Sequence, residues 1–169
     1  MRNVFLTGFM GSGKSRIARY ISKRYGIACL ETDNLIESRA QCTIREIFEQ
    51  HGEPYFRELE RQVLHDIPDY AVVSTGGGLP CHFDNMDWMR AQGTVFYLKA
   101  RTEVLAARLD TPESRAKRPL LPDTAQLIPY IEATLKTREP FYLQADYTID
   151  VSDLSVRDIV KQIIDTISR

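Results

Sequence analysis

Short apolar runs alternate along the chain with longer stretches in which apolar residues recur at helical spacing. The apolar runs predict strands at residues 3–7, 27–31, 71–75, 94–98 and 147–151. The longer stretches predict helices at residues 14–25, 34–40, 44–51, 55–66, 84–91, 102–109, 124–138 and 155–167. Strands and helices that alternate in this way are typical of a parallel sheet with helices on both faces, so the pattern predicts an α/β fold.

One segment, residues 110–124, breaks this pattern. It is polar and rich in proline, and it carries Arg115, Lys117 and Arg118. A stretch of this length without regular structure is usually a functional loop when it lies inside a compact domain. We therefore expect an irregular lid over these residues.

Length and charge limit the classes of function. The 169 residues and the hydrophobic fraction of 43% suit one compact domain that covers residues 1–169. Lys and Arg number 22 and Asp and Glu number 23, which gives a net charge of -1. A nearly neutral protein has no general attraction for nucleic acid or for an anionic membrane, so we expect neither as a partner. Any anionic ligand must instead be bound by a local cluster of cations.

The cysteines and the apolar runs bear on the compartment. Cys29, Cys42 and Cys81 are odd in number and form no CxxC pair, which indicates neither a disulfide framework nor a zinc knuckle. The apolar run near the amino terminus is too short for a secretory signal, and no run approaches the length of a membrane span. We therefore expect a cytoplasmic protein with reduced thiols.

A phosphate-binding motif follows the first predicted strand. The sequence GFMGSGKS at residues 8–15 fits the pattern GxxxxGK[ST] and precedes a predicted helix, which is the setting that this loop requires. Its glycines let backbone N–H groups point at phosphate oxygens, and the helix adds its positive end. Lys14 is predicted to contact the β- and γ-phosphates, and the Ser15 hydroxyl to bind Mg²⁺. The predicted ATP-binding residues of this region are Gly11, Ser12, Gly13, Lys14, Ser15 and Arg16.

The motif leaves the phosphate acceptor open, since water, a protein side chain or a small-molecule hydroxyl could attack. Glu31 and Asp33 follow the second predicted strand, at the edge of the sheet where ligands bind. Two residues apart on an extended strand, they would face the same side, so one could hold Mg²⁺ through water while the other accepts a hydroxyl proton. The alternative is that Asp33 caps a helix and Glu31 is solvated.

Three later features are ambiguous when they are taken singly. Arg57 and Glu60, three residues apart on a predicted helix, indicate an ordinary surface ion pair. The triple glycine 76–78 follows a strand and permits a ligand to approach the backbone closely. Arg138 ends a predicted helix, where a cation could simply complement the helix dipole.

Taken in this order, the features resemble the shikimate kinase family across nearly the whole chain. The motifs that carry the resemblance are GFMGSGKS at 8–15, E-T-D at 31–33, G-E-x-x-F-R-x-x-E at 52–60, T-G-G-G at 75–78, R-P-L-L at 118–121 and R-E-P-F-Y at 138–142. The resemblance implies transfer of the γ-phosphoryl group of ATP to the 3-hydroxyl of shikimate, on the route to chorismate and the aromatic amino acids. It also implies a three-layer α/β/α P-loop kinase fold with a five-stranded parallel sheet and flanking helices. A substrate-binding helical region is expected at about 33–61, and a mobile lid at about 110–124.

The resemblance further implies a role for single residues at the substrate. Asp33 matches the aspartate that contacts the substrate hydroxyl and takes its proton, and Lys14 and Arg118 are the other catalytic residues. Two arginines match those that hold the shikimate carboxylate, and the triple glycine matches a backbone contact to substrate. The substrate-binding residues are therefore Asp33, Arg57, Gly76, Gly77, Gly78 and Arg138.

At the nucleotide, Arg118 matches a lid arginine that closes onto the ATP phosphates. Arg108 resembles an arginine near adenine, although its spacing to Arg118 is longer than in the family. Glu31 stands where the family usually has Asp, so a contact to Mg²⁺ through water is retained with a longer side chain. The implied cofactor is Mg²⁺, the implied ligands are ATP and shikimate, and the implied state is a monomer.

Two other functions remain open on the sequence. A kinase for another small hydroxy acid such as gluconate, or for a nucleotide, would keep the phosphate loop and the lid, because one phosphate site serves many acceptors. A nucleotide-dependent switch would hydrolyse ATP slowly and signal to a partner through interaction surfaces.

Overall fold

The computed structural model describes residues 2–118 and 120–168. Met1, Pro119 and Arg169 lie outside the described residues, so the second position of the R-P-L-L motif and both ends of the predicted domain are not covered.

The strands form one five-stranded sheet in which every neighbouring pair is parallel. Along the chain they are β1 (Asn3–Thr7), β2 (Ala28–Glu31), β3 (Ala71–Ser74), β4 (Gly93–Lys99) and β5 (Tyr147–Asp150). Their order in the sheet is β2-β3-β1-β4-β5. All five predicted strands are confirmed, with ends that differ by at most one residue. Because the central strand β1 carries the phosphate loop at its carboxyl end, that loop lies at the middle of the ligand-binding edge.

Helices fill the intervals between the strands. They are α1 (Lys14–Tyr25), α2 (Thr32–Ala40), α3 (Ile44–His51), α4 (Glu53–His65), α5 (Asn85–Gln92), α6 (Thr102–Leu109), α7 (Pro112–Ala116), α8 (Thr124–Tyr142) and α9 (Val156–Ile167). A short 3-10 helix at Leu79–Cys81 follows the triple glycine. None of the helices in the described part of the chain has the length and apolar character that crossing a membrane requires.

The sheet is buried on both faces, as the α/β prediction requires. Side chains alternate across β1, so that Val4 and Leu6 enter one apolar cluster and Phe5 enters another. The first cluster also contains residues of α1, α6, α8 and α9, and the second contains Met86 and Met89 of α5. These observations give the three-layer α/β/α architecture that the resemblance implies.

A third apolar cluster lies outside the sheet, among α2, α3 and α4. Its members are Ile36, Ile47, Phe56, Leu59 and Val63. α3 begins with a capping box, in which the Thr43 hydroxyl accepts from the Glu46 backbone N–H and the Thr43 N–H donates to the Glu46 carboxylate. This cluster stabilises the helical region that was expected at about 33–61 and fixes α2 and α4 beside the ligand-binding edge.

Two sequence predictions about the lid and its neighbour are wrong. The segment 110–124 is not irregular throughout, because it contains α7, which starts with Pro112 after the cap residue Thr111. The helix predicted at 124–138 does not end at Arg138, because α8 continues through Pro140 to Tyr142. The Tyr142 hydroxyl donates to the Gly77 carbonyl at 2.6 Å, and this contact fastens the last turn of α8 against the triple glycine.

Candidate active site

The phosphate loop connects β1 to α1 as the motif predicts. Gly11 and Gly13 have φ values of 81° and 97°, a left-handed conformation that side chains other than glycine rarely adopt. Lys14 is the first residue of α1, and its ammonium group donates to the carbonyls of Gly8 at 2.7 Å and Phe9 at 3.0 Å. The loop therefore surrounds the lysine that the motif assigns to the phosphates.

Other candidate side chains lie around Lys14. Burial lowers the pKa of Lys14 to about 8, and the negative charge of Asp33 partly opposes this shift. The positive charges of Arg118 and Arg138 lower it further. Residues from the phosphate loop, α2, the lid and α8 thus influence one ammonium group. This is the local cation cluster that a nearly neutral protein needs in order to bind anions.

Hydroxyl and carboxylate oxygens meet beside the phosphate loop. The Ser15 hydroxyl donates to the Glu31 carboxylate at 2.8 Å and lies 3.2 Å from the Ser74 hydroxyl. Glu31 and Ser74 are register partners at the carboxyl ends of β2 and β3, which places them side by side. Ser74 is a candidate that the sequence prediction missed, because only the strand pairing shows that it lies next to Ser15.

The structure corrects the geometry that was predicted for Glu31 and Asp33. They do not share an extended strand, because Glu31 ends β2 and Asp33 lies in the first turn of α2. The N-cap residue is Glu31 and its side chain makes no cap hydrogen bond, so the alternative in which Asp33 is the cap is wrong too. Desolvation by the walls of the cleft raises the pKa of Asp33, and Lys14 opposes the shift. Asp33 therefore lies close to Lys14, while Glu31 turns to Ser15.

The triple glycine follows β3 and forms a wall of the cleft beside the phosphate loop, since a Cβ on Gly77 would lie 3.6 Å from the Gly8 carbonyl oxygen. A Cβ on Gly76 would lie 2.7 Å from an Asp33 oxygen, and one on Gly77 would lie 3.2 Å from an Arg138 nitrogen. A Cβ on Gly78 would lie 2.5 Å from an Arg57 nitrogen. Glycine is needed here because predicted substrate-binding side chains press against this backbone. The structure thus brings the six predicted substrate-binding residues together.

Arg57 and Glu60 form a buried ion pair, not the surface pair that their spacing suggests. The Arg57 guanidinium donates to Glu60 at 2.7 Å and to Glu53 at 3.0 Å, and the Glu60 side chain is only 1% exposed. Burial raises the pKa of Glu60 to about 7 against the opposing charge of Arg57. Glu60 also lies near the Cβ position of Gly76, at 3.0 Å. This carboxylate therefore holds Arg57 against the glycine wall.

Gly78→Ala should disturb Arg57 without straining the backbone, because Gly78 has an ordinary right-handed conformation with φ of -88°. The new methyl group would occupy the place of the guanidinium, and the loss of one charge-assisted contact to an anionic substrate raises its KM about tenfold. Steady-state kinetics should show this rise for the acidic substrate and little change for ATP.

Gly26→Ala is the control for this variant. Gly26 has open space around it but φ of 69°, so alanine should lower the melting temperature and leave both KM values unchanged. Equal KM values in Gly78→Ala and wild type would show that Arg57 does not depend on this wall.

Glu60 should contribute a pH dependence to folding stability. The folded protein holds the Glu60 proton more tightly than the unfolded chain, so this contribution is complete below the ordinary pKa of Glu and is lost as pH rises through about 7. In Glu60→Gln the contribution disappears. Melting temperatures from about pH 5 to about pH 8 should therefore fall less steeply in Glu60→Gln than in the wild type. Glu58→Gln, at an exposed position of the same helix, should follow the wild type, and a parallel course for all three proteins would contradict the assignment.

The end of α8 is fastened to the sheet and to the triple glycine by residues that follow Arg138. Glu139 accepts from the Tyr97 hydroxyl at 3.1 Å and pairs with Lys99 at 2.9 Å, so it is tied to β4. Tyr142 contacts Gly77, and its ring lies 5.0 Å from that of Tyr97. Arg138 is thus a side chain inside a fixed helix, and not the helix-ending cation that the sequence predicted.

The remaining predicted ATP-binding residues have different surroundings. Arg118 donates to the Ser114 hydroxyl at 2.8 Å; burial lowers its pKa and Asp33 opposes the shift. Arg108 donates to the carbonyls of Gly11 and Val151 and so joins the phosphate loop to the end of β5. Arg16 is exposed in α1, and its contact with nucleotide stays a prediction. Ser12 is buried within the loop, next to Gly8.

The family model for shikimate kinase matches residues 10–168. The chain is 38% identical to a shikimate kinase of Parabacteroides distasonis, over 96% of this chain and 95% of the relative. Among solved structures, a shikimate kinase from Bacteroides thetaiotaomicron superimposes with a TM-score of 0.92 at 33% identity, covering 99% of each chain. Shikimate kinase from Acinetobacter baumannii in complex with shikimate matches with a TM-score of 0.88 at 32% identity, over 99% of this chain and 93% of that one.

The sheet order, the phosphate loop and the triple-glycine wall define a P-loop kinase for a small-molecule acceptor. Within that class, the match over residues 10–168 and the nearly complete alignment with relatives show that the chain belongs to the shikimate kinase family.

Proposed function

We propose that the protein transfers the γ-phosphoryl group of ATP to the 3-hydroxyl of shikimate. The observation that carries this proposal is the approach of Arg57 and Arg138 to one triple-glycine wall, which lies beside the phosphate loop. Two forked guanidinium groups suit a planar carboxylate better than the point charges of lysines. A small acid held there would present its hydroxyl to the nucleotide.

Asp33 is the proposed general base. Its carboxylate lies near Lys14 of the phosphate loop and near Gly76 of the triple-glycine wall. A base in that place takes the proton of the attacking hydroxyl as the bond to phosphorus forms and the bond to the leaving ADP oxygen breaks. Its raised pKa strengthens it as a base, because a base is most effective when its pKa approaches the working pH.

Lys14 and Arg118 are the proposed electrostatic catalysts. Both lie close enough to Asp33 for their pKa values to respond to its charge. Negative charge spreads over the transferred group and the leaving phosphate in the transition state, and fixed cations stabilise it after water is excluded. Lys14 must leave the carbonyls of Gly8 and Phe9 to reach a phosphate, and anionic oxygens are the stronger acceptors.

Mg²⁺ is the proposed cofactor, and the oxygens of Ser15, Glu31 and Ser74 fit it. Mg²⁺ prefers hard oxygen ligands and keeps several waters, so one hydroxyl and one carboxylate beside the phosphates suffice. In the described part of the chain, no group of three or more His, Cys, Asp or Glu side chains could hold a metal ion by itself. When bound, the ion neutralises charge on the β- and γ-phosphates.

The proposed oligomeric state is a monomer. Every residue assigned a role above comes from one chain, so a monomer is sufficient for the reaction. We place the reaction in the cytoplasm, where ATP is available and where Cys29, Cys42 and Cys81 stay reduced, as all three are free thiols in the structure.

A panel of acceptors tests the proposed function. Purified protein with ATP and Mg²⁺ is assayed with shikimate, gluconate, nucleoside monophosphates or no acceptor. We expect ATP consumption that depends on shikimate, with a kcat/KM at least about a hundredfold above that for any other acceptor, because the others leave buried polar groups unpaired. Turnover of gluconate or a nucleotide in preference to shikimate would show that shikimate is not the acceptor. ATP hydrolysis that ignores every acceptor would favour a nucleotide-dependent switch.

A further inference from the structure

The lid segment contains an arginine that joins its two ends. Arg115 lies in α7, and its Nε donates to the Asp110 carboxylate at 2.6 Å, where α6 ends. Its Nη1 donates to the carbonyl of Pro122 at 3.1 Å, and its Nη2 donates to the Thr124 hydroxyl at 3.2 Å, where α8 begins. The Thr124 hydroxyl in turn donates to Asp110 at 3.0 Å. We name these three side chains, Asp110, Arg115 and Thr124, the lid clasp.

The clasp connects the two elements that carry the nucleotide side and the substrate side of the cleft. On one side, α6 lies against the phosphate loop, because a Cβ on Gly11 would be 3.1 Å from the Leu109 side chain and Arg108 donates to the Gly11 carbonyl. On the other side, α8 carries Arg138. The base of the lid is therefore set by elements that also set the geometry of the cleft.

Arg118 belongs to the same small unit. Its guanidinium donates to the hydroxyl of Ser114 at 2.8 Å, one residue before Arg115 in α7. The backbone N–H of Arg118 donates to the Arg115 carbonyl at 3.0 Å. The clasp thus holds the short helix that precedes and contacts Arg118, whose pKa responds to the charge of Asp33.

We propose that Arg115 is a positioning residue for phosphoryl transfer, which fixes the base of the lid so that Arg118 is presented to the ATP phosphates. The proposal rests on the proposed function, because it needs Arg118 to act on those phosphates. Among the described residues, the hydrogen bonds of the Arg115 side chain reach neither the phosphate loop nor the triple-glycine wall.

The physical basis is the entropy of ordering a loop. A lid with unconnected ends must lose backbone freedom each time it orders over a nucleotide, and each fixed residue costs free energy. A clasp between the ends imposes part of that order beforehand, and preorganised cations stabilise a transition state better than mobile ones. The cost of losing the clasp should therefore fall on the ATP-bound and transition states, and not on the binding of the acceptor.

Arginine is required because the acceptors lie in three directions. A carboxylate, a carbonyl and a hydroxyl receive the three nitrogens of one planar guanidinium. A lysine ammonium could pair with Asp110 but has no fixed fork with which to reach all three. Arg115→Lys should therefore restore only part of the function.

The test compares steady-state kinetics for ATP and for the acceptor in several variants. Arg115→Ala should lower kcat/KM for ATP about tenfold, through both a lower kcat and a higher KM for ATP, while the KM for shikimate stays as in wild type. The kcat/KM for ATP of Arg115→Lys should lie between that of Arg115→Ala and that of the wild type. Lys117→Ala removes one positive charge from an exposed position of the same segment and should behave as wild type. Thr124→Val should shift the same parameters by about threefold, since it removes one hydroxyl from the clasp, and Thr124→Ser should not.

The kinetics of these variants test the role of Arg115 separately from the proposed reaction. A loss in Arg115→Ala confined to ATP and kcat, with the acceptor KM unchanged, supports the positioning role, because general damage to the fold would raise both KM values. Wild-type kinetics in Arg115→Ala and Thr124→Val, while Arg118→Ala is strongly impaired, would overturn the inference and leave the proposed function intact. Unimpaired kinetics in Arg118→Ala would overturn the role of the lid arginine and the inference with it.

Discussion

Asp33→Asn should lower kcat by about a hundredfold or more and leave nucleotide binding nearly unchanged. Asparagine has the shape of aspartate, so the first turn of α2 and its approach to Gly76 should persist. What is lost is a group that can accept the proton of the attacking hydroxyl, and a positioned base contributes a factor of this size. Turnover with ATP and shikimate, together with ADP affinity by calorimetry, measures the two quantities separately.

The pH profile provides a second readout for the same variant. If Asp33 is the base, kcat in the wild type falls on the acid side as Asp33 takes up a proton, and its raised pKa brings that limb toward neutrality. The limb should be missing in Asp33→Asn. Asp87→Asn makes the same chemical change at an exposed position in α5 and should match the wild type throughout. Wild-type turnover in Asp33→Asn would remove Asp33 from the mechanism.

Arg138→Ala should raise the KM for shikimate by about ten- to a hundredfold and leave the KM for ATP nearly unchanged, because it removes one charge-assisted contact to the carboxylate. The guanidinium lies next to the glycine wall, at 3.2 Å from the Cβ position of Gly77. Arg138→Lys keeps the charge but loses the fork, so its KM should fall between those of alanine and arginine. Steady-state kinetics with each substrate varied in turn checks this prediction.

Because Arg138 lies near Lys14 as well as near the triple-glycine wall, the effects of Arg138→Ala on the KM for shikimate and on the KM for ATP must be compared. Arg138 also lies close enough to Lys14 for its charge to lower the pKa of that ammonium group. Equal rises in the two KM values would therefore contradict a contact with the carboxylate alone, because they would show that Arg138 is structural or belongs to the phosphate site. Lys136→Ala, at an exposed position of α8, should change neither value.

The phosphate loop and the sheet could be predicted from sequence because both depend on neighbouring residues. The glycines, Lys14 and Ser15 are contiguous, and the alternation of Val4, Phe5 and Leu6 across β1 requires only a sheet with two buried faces. By contrast, Ser74 comes near Ser15 only because β3 pairs with β1, whose carboxyl end leads into the phosphate loop, and no local pattern specifies this pairing. Strand order is a property of the whole chain.

The spacing of Arg57 and Glu60 in the sequence does not reveal that Glu60 is buried. An Arg and a Glu three residues apart look the same on any helix, and the spacing alone favours a solvent-exposed pair. Here α4 lies with that side of the helix against the triple glycine, so Glu60 is 1% exposed and its pKa rises to about 7. The glycines were the available signal, since three in succession indicate that something must approach the backbone.

The two helix errors have different origins. The start of α7 was visible in the sequence, because Thr111 followed by Pro112 is a cap residue and a proline at the first helical position. The end of α8 was not visible, because a proline at 140 favours a helix end before it. Contacts of Glu139 with Tyr97 and Lys99, and of Tyr142 with Gly77, extend the helix beyond this point.

Analysis of the reaction product shows directly whether the protein phosphorylates the 3-hydroxyl of shikimate. The protein is incubated with ATP, Mg²⁺ and shikimate, and the product is examined by phosphorus and proton NMR. We expect one phosphorylated product, shikimate 3-phosphate, formed in equal amount to ADP, and about a hundredfold less of it when Asp33→Asn replaces the wild type over the same time. ADP that accumulates with inorganic phosphate and without phosphorylated shikimate, or a phosphate on another hydroxyl, would contradict it.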